Sequence, residues 1–166
     1  MRFFQLTACA LALAVPLPAE IALHAPEPSR SAPPQFASQQ LRSSGMIFSG
    51  TVLSIVHFSA PASVETTQIT FKVERAVRGT RAGQLLRVRE WQGLWNSGER
   101  YRVGERVLLF LYPSSKLGLT SPVGGALGRY AIDKSGRVLV NDGQGPRPKP
   151  IELRSFVATI RSAAKE

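Results

Sequence analysis

The chain has 166 residues, 43% hydrophobic and 19% charged, and its 21 Lys and Arg outnumber 11 Asp and Glu to give a net charge of +10. This composition excludes a disordered chain, which would hold fewer apolar side chains and more charge, and the length suits one sizeable core rather than two. The basic excess, in which 16 of the 21 cations are arginine, fits either anionic partners or a solvated surface.

Met1-Arg2 precedes an apolar stretch, Phe3 to Leu17, broken only by Gln5, Thr7 and Pro16 and ended by Leu17-Pro18-Ala19. This is the pattern of a signal peptide over 1–19, cut after Ala19, and it is shorter than the run of about 20 apolar residues that spans a membrane. Leu6-Thr7-Ala8-Cys9 has the residue types of a lipobox, but Cys9 lies in the middle of the apolar stretch rather than after it. Cleavage at Ala19 removes the single cysteine, and with it thiol catalysis, cysteine zinc sites and disulfides. The expected product is a bacterial protein, secreted or periplasmic and associated with the cell envelope, with no transmembrane segment. Its partners there would be extracytoplasmic proteins or anionic glycans and other envelope components, and not nucleic acid.

Residues 20–44, with Pro26, Pro28, Pro33 and Pro34 among Ser, Ala and Gln, read as a linker, with a helical turn at Gln39 to Arg42. A β domain over 45–142 follows. Met46 to Phe58 is rich in β-branched and aromatic residues, with Gly50 where a bulge belongs. Ile69, Phe71 and Val73 alternate with Thr70, Lys72 and Glu74 as in a half-buried strand. After a turn at Arg78 to Gly83, Leu86 and Val88 alternate with Arg87 and Arg89 in a hairpin partner. A long excursion from Gly93 to Gly104 leads to Arg106 to Tyr112, an apolar run expected to be buried on both faces. The glycine-rich segment Ser114 to Gly128 reads as a flexible loop, and Arg129 to Ile132 with Arg137 to Val140 as a short hairpin. A Pro-rich connector, 143–150, precedes a helix over 151–164, where Leu153, Phe156, Val157 and Ile160 fall on one side.

The expected fold is therefore mainly β, with five or six strands and a C-terminal helix, and strand count alone allows a small Greek-key barrel or a compact sandwich. Three blocks, Ile47 to Leu53 (IFSGTVL), Thr70 to Gly79 (TFKVERAVRG) and Tyr101 to Phe110 (YRVGERVLLF), resemble netrin-like domains, the group that includes the tissue inhibitors of metalloproteases. That resemblance covers roughly residues 45 to 112 and implies an OB-like barrel. Its matching positions are core residues and turn glycines, so it bears on fold rather than activity. In those inhibitors an N-terminal cysteine chelates the protease zinc, and no residue of this chain matches it. What the resemblance leaves is an inhibitor acting through a loop or exosite, the alternative to a plain binding module.

No cofactor and no metal is expected, and no catalytic motif stands out. His57 is the one histidine placed to act as a base, Asp133 is an acid that could serve it, and no nucleophile elbow accompanies them. Glu90, Glu99 and Glu105 border the long excursion but neighbour Arg100, Arg102 and Arg106, as in ordinary ion pairs. The most suggestive group is Arg87, Arg89, Trp91, Trp95, Arg100, Tyr101 and Arg102, which sets aromatics among cations along one strand and the loop after it. Such a face can hold an anionic glycan, a peptide or a nucleic-acid strand, unless Trp91 and Trp95 plug the barrel. Ser121, Gly124 and Gly125 mark the glycine-rich loop as a second contact region. The expected function is a non-catalytic exported binding module.

Overall fold

The computed structural model describes residues 35–59, 64–96, 100–141 and 147–163, so the expected signal peptide and residues 20–34 of the expected linker lie outside it. The strand with the most apolar sequence, Arg106–Leu111, is buried on both faces, because Val107, Leu109 and Leu111 point into one hydrophobic cluster and Leu108 and Phe110 into another. It is β4 in the order α1 (Gln35–Ser43), β1 (Met46–Phe58), β2 (Thr66–Arg78), β3 (Leu85–Trp91), β4 (Arg106–Leu111), β5 (Arg129–Ala131), β6 (Arg137–Val140), β7 (Lys149–Glu152) and α2 (Leu153–Ala163). The chain is mainly β with a C-terminal helix, as its alternation predicts.

Five strands form one antiparallel sheet in the order β3-β2-β1-β4-β5, and β6 pairs with β7 in a separate ribbon. Strand pairing does not close the larger sheet, whose edges are β3 and β5. A loop segment bridges its open side instead: Thr120 N–H donates to the Arg89 carbonyl of β3 (2.9 Å), while the Tyr112 N–H beyond β4 donates to Ser121 (3.0 Å). β1 shifts register at Gly50, where an added Cβ would lie 2.5 Å from the Lys72 carbonyl oxygen. The bulge and the missing side chain let β1 coil tightly against β2.

One cluster, inside the coiled sheet, gathers Phe48, Val52, Ile69, Phe71 and Val88 with Trp95 and Tyr101. The other lies on the opposite face of β1 and β4, covered by Leu41 of α1, Val138 and Val140 of β6, and Leu153, Phe156, Val157 and Ile160 of α2. No described helix is long and apolar enough to cross a membrane.

Four stretches differ from the sequence reading. Residues 35–43, assigned to the linker, are helical and docked: Gln40 donates to the Leu127 carbonyl (2.6 Å) and accepts from the Tyr130 hydroxyl (2.8 Å). Arg78 donates to the α1 carbonyl of Leu41 (2.6 Å) and to that of Ser44 (3.1 Å), satisfying groups at the helix C-terminus. Residues 149–152, divided between connector and helix, form β7, with Pro150 opposite Leu139 in a two-stranded ribbon where its missing N–H is tolerated. The hairpin read over 129–140 has the expected turn, since Gly136 adopts φ 77° and donates to the Asp133 carbonyl, but its arms join different sheets through a single Ile132–Val138 bridge. Finally, the loop read as flexible is pinned by hydrogen bonds at residues 115, 118, 120, 121 and 123.

Candidate functional site

The parity of β3 decides which of the predicted side chains meet. Leu86, Val88 and Glu90 turn inward, leaving Leu85, Arg87, Arg89 and Trp91 on the outer face. Strand pairing extends these into rows: Phe58, Thr66 and Trp91; Val56, Gln68 and Arg89; Ser54, Thr70 and Arg87; Thr51, Lys72 and Leu85. None of these residues is acidic. Trp91 is 54% exposed and Phe58 48%, with Arg89 and then Arg87 supplying positive charge in the next rows and Lys72 at the far end of the face. The Trp91 indole lies against Gly93, where an added Cβ would come within 2.4 Å of two ring carbons. Backbone therefore backs one part of the ring while more than half of the residue stays open to solvent.

The inward side of the same strand end is different. Glu90 is 0% exposed and accepts from Tyr101 Oη (3.0 Å) and Trp95 Nε1 (3.2 Å). Arg100 Nε lies 3.3 Å from the carboxylate, an ion-pair distance, but is off-line for a hydrogen bond. Burial pushes the Glu90 carboxyl above the usual carboxylate range, against the opposing pull of Arg100, Tyr101 and Trp95. Burial and the neighbouring carboxylate push the Tyr101 hydroxyl well above its ordinary value, so Tyr101 stays protonated as the donor. His57 meets Thr67 (2.8 Å) and Gln92 (3.0 Å) and stacks edge-on to Trp95. Asp133 is engaged by Arg137 in the β5–β6 turn instead (2.9 Å). Among the described residues no group of His, Cys, Asp or Glu is arranged to hold a metal ion.

The basic aromatic group read from the sequence thus divides among three places. Arg87, Arg89 and Trp91 share the outer face. Trp95 (7% exposed) and Tyr101 (1%) belong to the core, because Glu90 draws their polar atoms inward. Arg100 and Arg102 line a recess of about 370 Å³ with Tyr101, Glu105 and Arg129. Ser121 spends its carbonyl on Tyr112, and Gly124 and Gly125, at φ 70° and 66°, shape a turn beside the Tyr112 hydroxyl. Glu105 binds Arg129, and Glu99 lies outside the described residues.

Val56, Phe58 and Lys72 join the outer face without having been singled out in the sequence. Their signal was available: once β1, β2 and β3 are paired, the alternation that turns Arg87 outward fixes the side of every partner. Comparison with protein-family models, curated proteins and solved structures gives no match for the chain.

Proposed function

We propose that this protein is a non-catalytic, exported binding module that takes an anionic envelope glycan on the outer face of β1, β2 and β3. The observation that carries this reading is Trp91, held against Gly93 yet 54% exposed, with Arg87 and Arg89 on the same strand face. A sugar ring can stack on the indole while the arginine forks meet its carboxylate or sulfate groups. Arg87 and Arg89, with no acidic residue in their rows, favour an acidic polymer over a neutral one. Export rests on the N-terminal sequence pattern, and an OB-like, netrin-related barrel remains our reading of the sheet order and the matching blocks.

The test is isothermal titration calorimetry with polygalacturonate, with neutral dextran as the control. The wild type is compared with Trp91→Ala and with Arg87→Ser/Arg89→Ser, each checked by circular dichroism. Saturable binding to the acidic polymer, lost in both variants and absent with dextran, supports the glycan reading. Equal binding by all three proteins refutes it. A partner protein captured from the envelope by the wild type alone would keep the face and change the ligand class.

A further inference from the structure

The recess lined by Arg100, Arg102 and Arg129 involves none of the outer-face residues assigned above. Three arginine residues line it, and the one acidic residue in the lining, Glu105, is committed within the fold. One of its oxygens takes Arg129 Nη2, and the other accepts the Arg102 backbone N–H (3.1 Å). Arg129 is further positioned with its guanidinium carbon 5.2 Å from the centre of the Tyr101 ring.

Two of the arginines are incompletely satisfied. Arg100 Nε and Arg129 Nε are both shielded from solvent, and neither has an in-line hydrogen-bond acceptor among the described residues, although Arg100 Nε lies 3.3 Å from the Glu90 carboxylate. The Arg102 side chain has no hydrogen-bond or ion-pair partner among the described residues. Buried donors without acceptors are uncommon in folded proteins and costly for a charged group. Here two occur on arginines lining one recess. Guanidinium forks match oxyanions in shape and charge, and with Arg100 beside Glu90 and Arg129 on Glu105, Arg102 leaves one cation in surplus at the recess.

We infer that this recess is an oxyanion subsite for a phosphate or sulfate group, distinct from the outer face of β3. The volume leaves room for the oxyanion together with part of the molecule that carries it.

The experiment follows the arginine side-chain Nε–H resonances by NMR while inorganic phosphate is titrated into the protein, with sodium chloride at matched ionic strength as the control. Saturable shifts of the Arg100 and Arg129 Nε–H signals with phosphate alone are expected. Arg102→Ser removes an exposed side chain without a partner among the described residues, so the backbone spectrum should persist while phosphate binding weakens at least tenfold. A response that does not saturate, that chloride reproduces, or that Arg102→Ser leaves unchanged overturns the subsite. Glycerol phosphate binding more tightly than inorganic phosphate identifies a phosphoester ligand, and equal binding identifies the free ion; both support the site. Trp91→Ala should leave these shifts intact, so failure here and failure of the glycan reading are distinguishable.

Discussion

Replacing Glu90 separates two physical effects that act on the same carboxylate. In Glu90→Ala, Trp95 Nε1 and Tyr101 Oη lose their acceptor and Arg100 loses its ion-pair partner. Breaking a buried pair and orphaning its donors costs about 3–5 kcal/mol. Glu90→Gln is milder, because the amide oxygen still accepts one bond and the Tyr101 hydroxyl can rotate to accept from the amide; the expected loss is about 1 kcal/mol in acid. The pH dependence carries the sharper prediction. Burial raises the Glu90 pKa in the folded state, so its contribution is fully present below the unfolded value and is lost as pH rises through the folded one. Each unit of elevation corresponds to about 1.4 kcal/mol. In urea denaturation from pH 4 to pH 8, the stability advantage of wild type over Glu90→Gln should therefore shrink with rising pH. An advantage that instead grows would show that attraction to Arg100 outweighs desolvation, and the reasoning would fail.

Gly93→Ala drives a methyl group into the Trp91 ring, so the indole should swing away, altering Trp91 fluorescence and weakening polygalacturonate binding while the melting temperature changes little. Leu41→Ala empties the apolar anchor of α1 and should cost about 2–4 kcal/mol by chemical denaturation; a loss below about 1 kcal/mol would mean that α1 contributes little to the core. The Arg106 hydrogen bonds hold Glu74 below the usual carboxylate range, so its contribution is present above the unfolded pKa and lost as pH falls through the folded one. Glu74→Gln should cost no more than about 1 kcal/mol at neutral pH, and its difference from wild type should close on acidification below about pH 4.

The strands that alternate, or that are apolar throughout, were legible because burial writes its period directly into side-chain type. β2 and β4 follow this rule, as do the four apolar positions of α2. Of α1 only the turn at Gln39 to Arg42 was legible, since the helix docks as much through Gln40 and the Arg78 cap as through Leu41, and such polar contacts leave no hydrophobic period. At the candidate site, parity alone places Trp91 with Arg87 and Arg89 and turns Glu90 inward. Trp95 and Tyr101 follow no strand period, because their burial depends on an acceptor supplied by another segment. Arg129 escaped notice because its place beside Arg100 and Arg102 is set by tertiary folding across some thirty residues.

The second hydrophobic cluster joins Leu41, near the start of the described chain, to Phe156 and Ile160, near its end. During synthesis, Leu108 and Phe110 exist for some fifty residues of further elongation before α2 arrives to cover them. A nascent chain lacking its last turns therefore exposes one face of the central strand and cannot complete its core. The final helix therefore acts as the latch of the fold.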